Sequence, residues 1–302
     1  MTLYVTGLTG RTGRHFYTNL LNGSNNRMLN IRAVLRPGKT LDDITTDALN
    51  IEYFNCDLND EEAIYSTMKG SDTVFHIASI FFSLNIVGSA IRAGVKRIIL
   101  VHTTGVYSKY KSASADYVSI ESEINNLLNG KGICLTILRP TMIYGSVEDN
   151  NIVRFIRMAD RLPVIPLVNR GNYPLQPVHA KDLGNAYYQV LTRSEEASSN
   201  DYILSGKEPI MLRQMFEILG GHLHKHKIRF LPVPLPIVYS GAWLLYIFTL
   251  KRKDFREKVQ RLAESRAFPH DKAVKDFGYS PRSFEDGVKE EVRQYLSLRT
   301  LS

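Results

Sequence analysis

The chain has 302 residues, 44% of them apolar, which is enough to bury a full hydrophobic core and excludes a short peptide or a disordered tail. Its net charge of +8 arises in residues 151–302, which carry 24 basic and 16 acidic side chains, against 14 and 14 in residues 1–150. Such an excess fits an anionic substrate, an anionic membrane surface or a solvated basic face, whereas the lack of a recognised binding motif argues against nucleic acid.

The two cysteines, Cys56 and Cys134, lie in apolar runs, which favours buried thiols in a reducing compartment over a disulfide framework. The first apolar run is short and follows no basic segment, which is not the pattern of a signal peptide. We therefore expect a cytoplasmic protein.

Short β-branched runs alternate with helical patterns through the first half of the chain. Residues 3–7 form a strand that runs into a glycine-rich turn and a helix ending at Gly23. Five further runs have the composition of strands: 31–36, 51–58, 72–78, 97–103 and 133–140. Strands alternating with helices predict an α/β fold with a doubly wound parallel sheet of the Rossmann type.

The alternation breaks after residue 145. A helix and a proline-bounded strand follow, then a helix over 180–193 leads to a strand beginning at Asp201, and helical patterns dominate from residue 207. This order predicts a dinucleotide-binding domain over 1–145 and an interleaved, smaller substrate-binding region in the C-terminal half. The first domain is rejoined by 174–206, and the second region comprises 146–173 and 207–302.

The glycine-rich turn "TGLTGRTG" places Gly7, Gly10 and Gly13 between the first strand and its helix. Residues without a Cβ let the backbone N–H groups of a helix N-terminus approach a pyrophosphate. The spacing differs by one position from the commonest dinucleotide fingerprint, and a purely structural turn is the alternative. At the start of an alternating strand–helix chain, the motif favours nucleotide binding.

The identity of the nucleotide is usually determined at the end of the second strand. Arg36 stands there, where an acidic residue would hold the ribose of NAD, and Arg11 in the glycine loop adds a second positive charge. These residues favour NADP, with NAD as second choice, although Arg36 could instead be an exposed loop residue or stack on adenine. Asp57, followed by Leu58, is placed after the third strand to meet the adenine amino group.

Six motifs give the chain a resemblance to the short-chain dehydrogenase/reductase superfamily, in its extended or atypical branch, which includes nucleotide-sugar epimerases, dehydratases and NmrA-like proteins. They occur in the order of that family and span nearly the whole chain: "TGLTGRTG" (6–13), "VFHIAS" (74–79), "TTGVY" (103–107), "RPTMIYG" (139–145), "PVHAKDLGNA" (177–186) and "FGYSPRSFEDGV" (277–288). The resemblance implies a dinucleotide cofactor and an enzyme acting on a carbonyl or hydroxyl group.

The resemblance also implies roles for particular residues. Thr103 matches the catalytic serine or threonine and Tyr117 the catalytic tyrosine, whereas Tyr107 belongs to the strand motif. Further contacts with the cofactor are implied for Thr12, Ala78, Tyr117 and Pro140. The lysine that follows the tyrosine by four residues in the family is absent, because Glu121 occupies its position.

Glu121 has a chemical consequence. A carboxylate beside Tyr117 disfavours the phenolate, so the tyrosine is expected to donate a proton to a carbonyl but to be a poor base for oxidising an alcohol. Lys109 or Lys111 could restore the missing charge, or both could be exposed loop residues.

The sequence therefore predicts a reductase acting on a keto group of an anionic substrate, such as a nucleotide sugar. An epimerase or dehydratase is the second enzyme hypothesis, and it conflicts with Glu121 because both need an oxidation step. A non-catalytic NADP-binding sensor or assembly subunit is the alternative from another class. A homodimer is compatible with the sequence, and no feature of the chain specifies one.

Two segments outside the motifs carry residues of interest. The run "HLHKHK" places His222, His224 and His226 at alternate positions, but nothing else completes a metal site, so no metal is expected. Residues 230–250 are uncharged and have basic flanks, and the 14 residues from 237 onward would form a helix of about 21 Å, against roughly 30 Å for a bilayer core. Residues 237–250 are interpreted either as a lid over the substrate pocket or as a helix lying on an anionic bilayer.

Overall fold

The computed structural model describes residues 1–23, 29–38, 49–149, 151–192, 200–223, 228–248, 259–260 and 264–300. Its centre is a seven-stranded sheet built from β1 (Thr2–Thr6), β2 (Asn30–Leu35), β3 (Asn50–Asn55), β4 (Thr73–His76), β5 (Arg97–Val101), β6 (Cys134–Pro140) and β11 (Asp201–Leu204). The strands are parallel and lie in the order β3-β2-β1-β4-β5-β6-β11. The predicted Rossmann-type, doubly wound α/β fold is confirmed.

Helices cover both faces of this sheet: α1 (Arg11–Asn22), α2 (Glu61–Met68), α3 (Ser83–Ala93), α4 (Lys111–Leu128) and α6 (Ala180–Thr192). Side chains alternate along each strand, so Leu3 and Val5 of β1 pack with α1 and α6, whereas Tyr4 packs with α2 and α3 on the opposite face. Burial on both faces explains why the strands are continuous apolar runs rather than alternating patterns.

The remaining elements are β7 (Ile143–Tyr144), α5 (Ile152–Arg161), β8 (Val164–Val168), β9 (Pro174–Leu175), β10 (Val178–His179), β12 (Ile210–Met211), α7 (Leu212–His222), β13 (Arg229–Val233), α8 (Leu235–Phe248), α9 (Asp271–Phe277) and α10 (Phe284–Thr300). Apart from α9, they form a second, smaller layer. Three two-stranded pairings, β7 with β10, β9 with β12 and β8 with β13, hold it together. Its core is formed chiefly by apolar side chains of α5, α7 and α10.

One helix of the C-terminal region packs elsewhere. Ala273 and Phe277 of α9, with Tyr279 after it, belong to the core that α1 and α6 form with the sheet. The Tyr202 hydroxyl of β11 donates to the Asp276 carboxylate at 2.9 Å, and the Tyr279 hydroxyl donates to the Ser205 carbonyl at 2.8 Å. The chain therefore returns to the sheet after residue 270, a detail that the predicted division into 1–145 with 174–206 and 146–173 with 207–302 does not include.

Within the described residues, no helix has both the length and the apolar character that crossing a membrane requires. Of the three histidines in "HLHKHK", His222 ends α7, while His224 and His226 lie outside the described residues.

A buried pair of carboxyl groups joins α10 to the turn after β7. Glu291 is fully buried, and its Oε2 accepts a hydrogen bond from the Gly145 backbone at 2.9 Å. Asp149 is also buried, and its Oδ1 accepts from the Asn151 backbone at 2.6 Å. Burial and the nearby charge of Asp149 raise the pKa of Glu291 from 4.5 to about 9. Glu291 is therefore protonated near neutrality, and its carboxyl group can donate a hydrogen bond to Asp149 Oδ2. The described residues offer no other donor to that oxygen.

We expect Glu291→Gln to stabilise the protein more at alkaline than at acidic pH. The folded state holds the Glu291 proton more tightly than the unfolded chain, so the wild-type free energy of unfolding falls as pH rises from 4.5 toward about 9. Glutamine keeps the acceptor for Gly145 and adds a permanent N–H donor. Urea unfolding at about pH 5.5 and about pH 8 should show the difference between variant and wild type growing by at least about 1 kcal/mol.

Glu290→Gln is the matched control. Glu290 forms a surface ion pair with Lys181, and the hydrogen bond from that lysine lowers the pKa of Glu290. The contribution of Glu290 to the free energy of unfolding is therefore constant over this pH range. If the free energy of unfolding changed with pH equally in wild type and Glu291→Gln, Glu291 would not hold a proton in the folded state.

Candidate functional site

A cavity of about 720 Å³ lies along the carboxyl ends of the parallel strands. Its wall is formed by the residues that follow β1, β2, β3, β4 and β5 and by the end of β6. This edge is where open α/β sheets bind ligands, because loops from neighbouring strands diverge there and leave a crevice.

Most of the residues singled out from the sequence lie on this one wall. They are Gly7, Gly10, Arg11, Thr12, Arg36, Asp57, Leu58, Ala78, Thr103, Tyr117 and Pro140. Gly13 lies beneath the loop, where a Cβ would come within 2.1 Å of the Gly7 carbonyl oxygen. The structure thus brings together residues that are far apart in the chain, while their individual roles stay predictions.

The glycine loop has the shape that a pyrophosphate requires. Gly7 has a φ of +82°, and a Cβ there would lie 2.7 Å from the Ala78 backbone nitrogen, so the close approach of β1 and β4 depends on glycine. Gly10 begins α1 without a side-chain cap, and the first turn contains no acidic residue. The N–H groups and positive dipole end of α1 are therefore available to a phosphate, and this part of the cavity fits a dinucleotide.

The adenosine end of the crevice lies at β2 and β3. Arg36 directly follows β2 and is exposed, and Asp57 follows β3. Asp57 Oδ1 accepts hydrogen bonds from the Asn59 backbone and side-chain amides at 3.0 and 2.9 Å, which fixes the loop. Among the described residues of the wall, Arg11 and Arg36 are the two permanent cations, and both stand on the nucleotide side.

Thr103 and Tyr117 meet at the other end. A Cβ on Gly105 would lie 2.9 Å from Tyr117 Cε2 and 3.3 Å from Thr103 Oγ1, so the absence of a side chain at Gly105 lets the two come together. Thr103 Oγ1 accepts from the Gly105 N–H at 3.0 Å, and its own proton remains available for a carbonyl oxygen. Thr103 and Tyr117 thus both line this end of the crevice.

An aromatic residue that the sequence analysis missed lies beside them. Phe81 is 56% exposed, and its ring centroid lies 5.9 Å from that of Tyr117. Ile80 and Phe82 continue this apolar wall. The signal was the run "SIFFS" directly after β4, which contains more exposed apolar surface than a connecting loop normally has.

Glu121 does not stand unpaired beside Tyr117. Its carboxylate is buried, accepting a hydrogen bond from His102 Nδ1 at 2.9 Å and from an Arg139 NH2 group at 2.7 Å. Burial alone would raise the pKa of Glu121, but these two donors outweigh it and hold the pKa below its usual range. The expectation of an uncompensated carboxylate next to the tyrosine is therefore wrong, because Arg139 balances the charge.

The network continues on both sides of Glu121. Burial lowers the pKa of His102, so its neutral ring donates from Nδ1 and accepts from the Ser83 hydroxyl at Nε2, over 3.1 Å. Arg139 also contacts Asp201 at 2.6 Å and lies 5.6 Å from the Tyr107 ring centroid. The chain of contacts ties α4, which carries Tyr117, to α3 and to strands β5, β6 and β11.

The two lysines proposed to replace the missing cation take other positions. Lys109 Nζ lies 5.8 Å from the Tyr110 ring centroid, and the Lys109 backbone N–H donates to Glu264 at 3.1 Å. Neither Lys109 nor Lys111 belongs to the described wall of the cavity. The hypothesis that one of them folds in beside Tyr117 is not supported.

We expect Glu121→Lys to destabilise the fold rather than to supply the missing cation. The new ammonium group would face Arg139 in a buried position, and removing one partner of a buried ion pair costs about 3–5 kcal/mol. Glu123→Lys, an exposed position on the same helix, is the matched control and should change stability by less than about 0.5 kcal/mol. Equal denaturation midpoints for the two variants would contradict the role given to the Glu121 pair.

Comparisons with known proteins agree with this geometry. The family described as NAD(P)H-binding matches residues 7–162. A Stigmatella aurantiaca ketoreductase of 4-hydroxy-2-methyl-3-oxo-4-farnesyl-3,4-dihydroquinoline-1-oxide is 23% identical, over 97% of this chain and 96% of its own. The 2-alkyl-3-oxoalkanoate reductase of Shewanella oneidensis is 24% identical, over 80% of this chain and 75% of its own. An uncharacterised Sinorhizobium fredii protein, y4nG, is 23% identical over 77% of this chain, a match that spans 65% of that protein.

A solved structure with NAD bound has the same architecture. The dTDP-glucose 4,6-dehydratase DesIV of Streptomyces venezuelae superimposes with a TM-score of 0.70 and 21% identity, covering 100% of this chain and 98% of its own. The matched family model spans the three glycines of the loop, Thr103 and Tyr117. The chain belongs to the NAD(P)H-binding family and has the fold of the extended short-chain dehydrogenases/reductases.

Proposed function

We propose that the protein is an NADP(H)-dependent reductase acting on the keto group of an anionic substrate. The observation that carries the proposal is the convergence of Thr103 and Tyr117 at one end of the same cavity whose other end is formed by the glycine loop, Arg11 and Arg36. This arrangement supports a role for their two hydroxyl groups toward the oxygen of a carbonyl that is being reduced.

The residues of the chain have separate tasks in this reaction. A reduced nicotinamide dinucleotide, held by the glycine loop, Arg11 and Arg36, would supply the hydride that the carbonyl carbon accepts. Tyr117 gives the proton of its hydroxyl to the carbonyl oxygen, which becomes the alcohol, while Thr103 donates a hydrogen bond that orients the carbonyl. The network of Glu121, His102 and Arg139 acts through position only, by holding α4 against the sheet.

The wall beside Tyr117 favours a substrate with a hydrocarbon part. Ile80, Phe81 and Phe82 are apolar, and the described residues of the wall at this end include no permanent cation. The names of two relatives describe keto substrates that carry a farnesyl or an alkyl group, and an oxoalkanoate also carries a carboxylate. An alkyl-bearing keto acid therefore satisfies both the apolar wall and the expectation of an anionic substrate.

A nucleotide sugar is the second candidate, favoured by the excess of 8 basic residues in the C-terminal half and by the likeness in fold to a nucleotide-sugar dehydratase. Epimerisation and dehydration both require oxidation of a sugar hydroxyl, which needs Tyr117 as a base. Position 121 supplies no lysine for that step. A non-catalytic NADP-binding subunit is the remaining hypothesis, and it predicts cofactor binding without turnover of any keto substrate.

We expect NADPH to bind more tightly than NADH. The Arg36 guanidinium follows β2 at the wall and can make charge-assisted hydrogen bonds to a 2′-phosphate. In calorimetric titrations, Arg36→Ala should weaken NADPH binding about tenfold and leave NADH binding nearly unchanged. Arg293→Ala, an exposed arginine on α10 outside the cavity wall, should alter neither. A preference for NADH that persists in Arg36→Ala would contradict the assignment of the 2′-phosphate site.

We expect Tyr117→Phe to lower kcat for keto reduction by at least about a hundredfold, because the proton donor is lost. Tyr107→Phe should retain most of the activity, since Tyr107 packs against Phe268 and Arg139 and does not line the cavity. The measurement is the rate of NADPH oxidation with a long-chain 3-oxoalkanoate and with a nucleotide 4-ketosugar. Full activity of Tyr117→Phe would show that the reaction uses another donor.

A further inference from the structure

The small parallel sheet of β8 and β13 has an apolar outer face. Leu231 lies opposite Pro166 and Arg229 lies opposite Val164. On the other side, Ile165, Leu167 and Phe230 pack into the core of the second layer. Leu231 is 56% exposed and Val164 is 39% exposed. Most surface strands carry polar residues on their solvent side, so this face is unusual.

Helix α8 follows directly after Pro234 and also exposes apolar side chains. Ile237 is 63% exposed and Trp243 is 48% exposed, whereas Ala242 is buried on the opposite side of the helix. The described positions 230–243 contain no charged side chain, and none of them lines the cavity. The described part of this segment therefore contributes nothing to the wall of that cavity, and its interpretation as a pocket lid gains no support there.

Along the chain, the charges that flank this segment have one sign. Residues 218–253 contain six lysines and arginines and no aspartate or glutamate. Arg229 stands on the apolar face of β13 itself, and Arg170 is exposed in the turn after β8. Both arginines lack an ion-pair partner within the described residues. Apolar side chains beside unpaired cations complement a surface that combines hydrocarbon with negative charge.

We propose that the outer face of β8 and β13, together with the exposed side of α8, docks this protein on an anionic lipid bilayer. A second copy of the chain would bring the same cations into contact with these, so self-association at this face is disfavoured, whereas anionic headgroups neutralise them. The 14 residues of α8 extend for about 21 Å, so the helix lies in the interface rather than across the bilayer.

Trp243 is the only tryptophan of the chain, so intrinsic fluorescence reports directly on this face. Vesicles of phosphatidylcholine with phosphatidylglycerol should shift its emission to the blue and co-sediment the protein at low salt, because the half-exposed indole enters the interface. High salt should release the protein, and vesicles of phosphatidylcholine alone should bind it at least about tenfold more weakly.

Variants separate the contribution of the positive charge from that of the apolar side chains. Arg229→Gln should lower the partition coefficient on anionic vesicles about fivefold, and Ile237→Ser should lower it roughly tenfold. Lys275→Gln and Val274→Ser, at exposed positions of α9 that are equally charged or apolar, should leave it unchanged. Circular dichroism of each variant checks that the fold is retained.

Two results would overturn the proposal. One is the absence of both co-sedimentation and a blue shift with anionic vesicles at low salt. The other is a blue shift of Trp243 that depends on protein concentration without lipid, which would show that a second copy covers this face. Because the assay contains neither cofactor nor keto substrate, its outcome is independent of the reductase proposal.

Discussion

The buried ion pair between Glu121 and Arg139 positions the end of the cavity that Thr103 and Tyr117 line. Glu121 is on α4, four residues after Tyr117, and Arg139 is on β6. His102, the residue before Thr103, donates the second hydrogen bond to the same carboxylate. One carboxylate thus holds the helix of the tyrosine and the strand end of the threonine in a fixed relation.

Such a pair carries a cost, because both charges leave water. The network offsets that cost by satisfying both oxygens of Glu121 and by pairing Arg139 a second time with Asp201. The family's lysine at this position would face the cofactor, whereas Glu121 faces the interior of the protein. In the proposed reductase, the substitution would replace a group that assists proton abstraction with a group that fixes geometry, which agrees with the proposed role of Tyr117 as a proton donor.

The sequence predicted those features that depend on local pattern. The alternation of apolar strands with helices predicted the sheet, and the glycine loop predicted the start of the crevice. The family resemblance indicated Thr103 and Tyr117, which both line the far end of the crevice. Features that depend on pairing across the fold were not predicted. His102 and Arg139 lie 19 and 18 residues from Glu121, and no local pattern indicates that a helix, a strand end and a second strand meet there.

The same limit applies to other parts of the molecule. Glu291 lies 146 residues from Gly145, its hydrogen-bond donor, and from sequence it resembles any acidic residue of a surface helix. The uncharged segment after residue 230 has the composition of a buried lid, yet Ile237 and Trp243 are exposed. Composition defines which residues can be buried, but the contacts of the whole fold decide which of them are.

A crystal structure of the protein with NADPH tests the central claim most directly. The account predicts that the pyrophosphate lies at the N-terminus of α1 and that Arg36 contacts the 2′-phosphate. It also predicts that the nicotinamide lies at the end of the cavity lined by Thr103 and Tyr117, with Glu121 still paired to Arg139. A nucleotide bound elsewhere, or a complex in which Glu121 leaves Arg139 to face the nicotinamide ribose, would contradict it.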